Sequence, residues 1–218
     1  MYGFGPVRAK VLAVRIIPNV NEFMKEQLKL KPHQRSIGML TVTIDDVGYT
    51  AVDEATKKAD VEVVYARSFY AGSAHASGPL SGEFIGILAG PNPAEVRSGI
   101  DAAIAMIEEE ACFWAANEEG TIAFYAQCIS RTGSYLSKMN NVPEGTPLAY
   151  LIAPPLEAMY ALDAAIKAAE VRMTSFFGPP TETNFAGGHL VGSQSACKAA
   201  CDAFAAAVIE VAREPKRY

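Results

Sequence analysis

The chain has 218 residues, half of them hydrophobic and 20% charged, with a formal net charge of −5. That balance supports a folded protein with a substantial core and excludes a disordered one. No basic run interleaves with aromatics, which argues against nucleic acid, and no apolar run reaches the roughly 18 residues of a membrane span.

The opening Met1 to Pro6 has neither the basic flank nor the apolar core of a signal peptide, so a cytoplasmic location is expected. Val11 to Ile17, β-branched and bounded by Pro18-Asn19, predicts a strand. A short helix from Val20 to Leu28, a strand from Ile37 to Thr43, a helix from Val47 to Ala59 and a strand from Val61 to Tyr65 follow. A Gly-, Ser-, Ala- and Pro-rich loop, Ser68 to Gly82, leads into a strand from Phe84 to Leu88. Asn92-Pro93 then caps a long helix to about Glu109, with Asn at the N-cap and Pro at the first helical position. The second half repeats the order. It has strands at Ile122–Ile129 and Leu148–Ala153, a helix from Pro154-Pro155 to Ala169, a strand at Val171–Thr174, a loop from Ser175 to Gly188, and a helix from Ser193 to Arg213.

The two halves also share residues. Asp53 to Val61 (DEATKKADV) and Asp163 to Val171 (DAAIKAAEV) lie 110 positions apart. Gly82 falls on Gly192 and Leu80 on Leu190 at the same offset, and Pro32 on Pro143 and Leu40 on Leu151 at 111. A duplicated unit with one small insertion explains this, dividing the chain into domains 1–112 and 113–218. Four strands and two principal helices per half give an α+β domain of ferredoxin-like, split βαβ type. In the closing helix Ala196, Ala199, Ala200, Ala203, Ala206 and Ala207 recur at helical spacing and are expected to pack closely on a sheet or helix.

Enzyme signatures are absent: no nucleophile elbow, zinc-protease, Walker A or dinucleotide motif occurs, and no cofactor is expected. The four cysteines suit a reducing compartment, and all of them, Cys112 and Cys128 as well as Cys197 and Cys201, four apart on a helix, are expected to be buried thiols. His33, His75 and His189 stand alone; His75 and His189, in or beside the long loops, are the candidate metal ligands, with His75 the foremost. Adjacent Asp45 and Asp46 repel unless a cation or donors relieve them, and they read equally as the N-terminus of the following helix.

Taken in order, these motifs resemble the shell proteins of bacterial microcompartments. Tyr150 to Val171 is similar to that family's opening strand and helix, and Val191 to Ala207 to its second helix. The strand that closes the ordinary domain, with an Ile-Pro ending, here comes first as Val14 to Pro18, which is the mark of a circular permutation. The duplicated, permuted form resembles the L-type shell subunits of ethanolamine-utilisation compartments. Agreement is dense at Asp45-Asp46-Val47, Asp53 to Lys57, Gly90 to Glu95, Ser130 to Leu136, Ala153 to Glu157 and Thr181 to Asn184.

The resemblance implies a structural, non-enzymatic tile: a homotrimer of pseudohexameric shape with a gated central pore, packed edge to edge with other shell proteins. It implies ethanolamine bound by Asp45, Asp46 and Glu83 through its ammonium, with Phe113, Thr183, Asn184 and Phe185 as further contacts. The loops Arg67 to Gly82 and Phe176 to Gly188 are the expected gates, with Phe69, Tyr70, Phe176 and Phe177 as plugs. Lys57 and Lys167, equivalent under the repeat, are expected at the tile edge. Alternatives are a shell subunit of an ethanol or propanediol compartment, a small-molecule sensor, or a soluble α+β enzyme using Asp45, Asp46 and Glu83 as metal ligands or acid/base pair.

Overall fold

The computed structural model describes residues 3–218, without the His75 side chain, so the His75 metal candidate lies outside the described residues. In chain order the elements are β1 (Pro6–Val7), β2 (Val11–Ile17), α1 (Glu22–Gln27), β3 (Ser36–Val42), α2 (Asp45–Lys58), β4 (Glu62–Ser68), α3 (Gly72–His75) and β5 (Phe84–Gly90). They continue with α4 (Pro93–Ala105), a π-helical turn (Met106–Glu110), β6 (Phe113–Ala115), β7 (Ala123–Ile129) and α5 (Ser134–Asn140). The last are β8 (Leu148–Ala153), α6 (Pro155–Ala168), β9 (Val171–Phe177), β10 (Ala186–Gly192) and α7 (Gln194–Arg213). The label α3 covers a single turn whose Ser73 and Ala74 have left-handed backbone angles.

The chain forms two compact units. The N-terminal unit comprises Ala9–Ala111 and Gly133–Leu136; the C-terminal unit comprises the residues up to Arg8, Cys112–Thr132 and Ser137–Tyr218. These units depart from a division at 112/113 in the residues up to Arg8 and in the segment 133–136.

The N-terminal unit is a four-stranded antiparallel sheet in the order β2-β3-β5-β4, with α2 and α4 packed on it and on each other. Val47, Ala51, Val52 and Ala55 of α2 and Val96, Ile100 and Ala103 of α4 are buried with Leu40, Phe84 and Leu88 of the sheet. The approach is close because Gly38 and Gly48 carry no side chain. A Cβ on Gly38 would meet Val96 at 2.6 Å, and one on Gly48 would meet the Phe84 ring at 2.4 Å. Asn92 caps α4 as expected, its Oδ1 accepting from the Ala94 and Glu95 amides at 2.9 and 3.0 Å.

The C-terminal unit repeats this arrangement as β7-β8-β10-β9 and extends it with β6 and the edge strand β1. Its core joins Ala158, Ala161, Leu162 and Ala165 of α6 to Cys197, Ala200, Cys201, Phe204 and Val208 of α7. Cys112, Cys197 and Cys201 are buried free thiols, whereas Cys128, expected to be buried as well, is only half-buried. Of the alanines expected on that helix face only Ala200 and Ala207 are buried; Ala196, Ala199 and Ala203 are half-covered and Ala206 is exposed. The larger Cys, Phe and Val side chains set the contact stripe in their place.

Strand register corrects part of the repeat. Leu40 pairs with Gly86 and Leu151 with Gly188, so β5 and β10 are related by an offset of 102. Gly82 and Leu80, in the approach to β5, are thus not equivalent to Gly192 and Leu190, which lie in β10. The cause is the connection 178–185, shorter than its counterpart 69–83.

Candidate ligand site and gate loop

Asp45 and Asp46 form the first turn of α2. The residue at the N-cap is Ile44, which has no capping oxygen, so the two carboxylates supply the negative charge that the positive end of the helix favours. Asp45 Oδ1 accepts the Asp46 amide at 3.0 Å, and both residues are only 6% exposed. The helix-start and acid-site readings of this pair therefore coincide.

Glu83, one residue before β5, donates its amide to the Val42 carbonyl at 2.9 Å and accepts the Phe69 amide at 3.0 Å on its own carbonyl. These bonds pin the neck of the 69–83 loop, and Thr41 Oγ1 adds a bond to the Leu80 carbonyl at 2.6 Å. Gly82 makes the approach possible. Its φ is +62° and a Cβ there would stand 2.2 Å from the Val42 oxygen, so no other residue fits without rearrangement. Burial, followed by the charge of Asp45, pushes the Glu83 carboxyl up to about 7. Both influences disfavour its ionised form, and a cation would relieve the second of them. Among the described residues no group of three His, Cys, Asp or Glu side chains is arranged to hold a metal ion. Carboxylates so placed can accept charge-assisted hydrogen bonds from an ammonium.

Tyr49 stands within the field of these acids, outside the proposed ligand contacts, and did not stand out in the sequence. It follows Asp45 and Asp46 by one turn, and that spacing placed it on their helix face. Its hydroxyl lies 3.2 Å from Ser68 Oγ and its ring meets Phe84 edge-on at 4.8 Å.

In the C-terminal unit, Phe113 is 3% exposed, stacked on Tyr125 at 5.1 Å and edge-on to Phe185 at 5.7 Å. Thr183 is buried and Asn184 is exposed at φ +67°. The Asn184 amide bonds the Thr181 carbonyl at 3.0 Å and the Phe185 amide bonds Thr181 Oγ1 at 3.1 Å. Both amides are thus used within the turn.

The gate candidates divide by environment. Tyr70 and Phe176 are 63% and 58% exposed. Phe69 is half-buried, and Phe177 packs edge-on against His189 at 4.9 Å. The second loop is narrower than expected, because β9 continues through Phe177 and β10 starts at Ala186. Gly187 and Gly188 are therefore strand residues; a Cβ on Gly187 would meet the Leu151 carbonyl at 1.9 Å. His189 is fully buried, its Nδ1 3.0 Å from Asn140 Oδ1 and its Nε2 without a hydrogen-bond partner. Burial lowers its pKa to about 3, so it is a neutral core histidine. Lys167 is 74% exposed and paired with Asp163 at 2.6 Å, whereas the Lys57 side chain is 20% exposed and paired with Glu54. Lys57 and Lys167, equivalent in sequence, do not occupy equivalent surfaces.

The BMC domain family matches residues 36–117. Over 96% of both chains the sequence is 63% identical to the bacterial microcompartment shell protein EutL of Clostridium perfringens. It is 54% identical to EutL of Escherichia coli K12 over 96% of this chain and 95% of that one. The chain belongs to the EutL family of bacterial microcompartment shell proteins. The crystal structure of the ethanolamine utilization protein EutL from Leptotrichia buccalis superposes with a TM-score of 0.96 at 62% identity, covering 100% of both chains. The domain match begins at the first residue of β3 and leaves β2 ahead of it, the order a circular permutation produces. This EutL-family chain is accordingly a tandem of permuted α+β shell domains and a structural component of the cytoplasmic microcompartment shell, which corrects the enzyme alternative. Among the described residues no helix is long and apolar enough to cross a membrane.

Proposed function

We propose that this chain is a shell tile of an ethanolamine-utilisation compartment. It assembles as a homotrimer with a gated central pore, and its Asp45, Asp46 and Glu83 carboxylates bind the ammonium of ethanolamine and so hold the gate closed. The observation that carries this reading is the acid group itself: two buried aspartates beside a glutamate whose proton is retained up to about 7. Phe113, Thr183, Asn184 and Phe185 are proposed as ethanolamine contacts, with Phe69, Tyr70, Phe176 and Phe177 facing the gate. Binding of so small a molecule is expected to be weak, because few heavy atoms contribute. Calorimetry with ethanolamine and with ethylene glycol, which matches its size but carries no ammonium, tests the site; equal heats for the two would remove it. Light scattering tests the trimer, and a monomer mass at micromolar concentration would refute it.

A further inference from the structure

Resting on the acid-site reading above, we infer that Tyr49 is the positioning residue that couples a cation at Asp45, Asp46 and Glu83 to the gate loop, through its hydroxyl contact with Ser68. Ser68 is the last residue of β4, and the loop to Glu83 starts directly after it. One end of that loop is therefore an acid of the site and the other end is the residue that Tyr49 holds. Ser68 pairs with Phe84 across the sheet, and the Tyr49 ring rests edge-on against Phe84 at 4.8 Å. On its other side the ring lies parallel to Tyr135, 6.2 Å away. The phenol is thus fixed in place by two rings while its hydroxyl, 3.2 Å from Ser68 Oγ, is free to donate or to accept.

The phenol also lies in the field of the acids. Burial raises its pKa, the Ser68 hydrogen bond opposes that, and the charges of Asp45 and Asp46 raise it further. Tyr49 therefore keeps its proton at neutral pH. With the aspartates ionised and no cation bound, their negative potential competes with Ser68 for that proton. A bound ammonium cancels the competing potential and leaves the hydroxyl to Ser68, which tightens the start of the loop as Glu83 is drawn to the same ligand at its end. Between the pinned ends lie Ser73 and Ala74 at φ +59° and +52°, a backbone conformation that L-residues adopt only under constraint.

Hydrogen exchange of peptides spanning 69–82, in the full-length protein with and without saturating ethanolamine, tests the coupling. In wild type, ethanolamine should slow exchange there by at least about threefold. Tyr49→Phe keeps both ring contacts and removes only the hydroxyl. It should bind ethanolamine with near wild-type affinity while losing the ligand-dependent slowing. Ser68→Ala should behave in the same way, and Ser68→Thr, which keeps a hydroxyl, should restore the response; a purely structural role would not follow the hydroxyl in this manner. If Tyr49→Phe or Ser68→Ala closes the loop as wild type does, the coupling is refuted and the acid site survives. If Tyr49→Phe abolishes binding, Tyr49 is a ligand residue and the positioning role is refuted. If wild type binds no ethanolamine, the acid site falls and the coupling with it.

Discussion

Ethanolamine binding should depend on pH with a midpoint near neutrality, and Glu83 should be the reason. Its carboxyl, ordinarily near 4.5, is held at about 7 by burial and then by Asp45. The ligand's amine remains an ammonium throughout this range, so Glu83 must lose its proton to serve as a charged partner. At pH 8 the carboxylate is mostly formed, whereas at pH 6 about ten of eleven molecules are protonated, and the affinity of wild type should fall about tenfold between the two. Near pH 7 binding should release about half a proton, which calorimetry in buffers of different ionisation enthalpy counts directly. Glu83→Gln should bind more weakly at pH 8 by roughly tenfold or more, since a charge-assisted bond of about 1.5–3 kcal/mol is lost, and should show no further decline at pH 6. The same raised value has a stability consequence of opposite sign. In the ligand-free protein the contribution from Glu83 is fully present below about 4.5 and is lost as pH rises through about 7. Discounted for the solvent that reaches this half-exposed side chain, the loss is about 1 kcal/mol. Ligand-free Glu83→Gln should therefore gain roughly 2–4 °C in Tm on wild type at pH 8 compared with the difference at pH 5. Equal wild-type affinities at pH 6 and pH 8 would refute the assignment of Glu83 as a ligand carboxylate.

Asp53→Ala should destabilise the fold by about 2–5 kcal/mol in urea denaturation, because it strips acceptors from the buried Gly133 and Leu136 amides, held at 2.7 and 2.8 Å. The matching Asp163→Ala, on an exposed side chain, should change stability by less than about 0.5 kcal/mol. His189, lowered to about 3 by burial, contributes stability that is present above its ordinary value of 6.5 and lost as pH falls below it. Wild type should accordingly lose up to about 1.4 kcal/mol per pH unit from this group below pH 6, a slope that urea midpoints of His189→Leu should lack. Concentrated wild type should form extended sheets in electron micrographs, and Lys167→Glu should leave the chain folded and abolish them, whereas unchanged sheets would place the edge elsewhere.

Most elements long enough to show a hydrophobic period were legible in the sequence: the N-terminal unit has the expected four strands and two principal helices, whereas in the C-terminal unit β10, whose start lies within the expected loop 175–188, was missed. What escaped was short or distant in sequence. A strand of two residues at Pro6–Val7 and one of three at Phe113–Ala115 carry too little pattern to be recognised. Asp53 and Asp163 are the same residue in a repeated motif, yet one is a buried acceptor for amides some eighty positions ahead and the other pairs with Lys167 in solvent. Nothing local distinguishes them; the difference lies in segment 133–136. The acids of the candidate site were visible as an unusual adjacent pair, while Tyr49 went unnoticed because an aromatic on an amphipathic helix reads as ordinary core. Loop 175–188 was drawn too wide because Gly187 and Gly188 suggest a turn, when their role is to let β10 approach its neighbours closely.

The interleaved membership of the two units sets an order of events on the ribosome. The N-terminal unit cannot complete itself when Ala111 has been made, since the amides that satisfy Asp53 belong to Gly133 and Leu136. The strand at Pro6–Val7, among the first residues synthesised, has to wait for Phe113 and Trp114 before it has anything to pair with. At the emission rates of translation, about 5–20 residues per second, that strand stays unpaired for several seconds. Cutting the gene between its two repeats would accordingly yield two fragments that each lack a piece carried by the other.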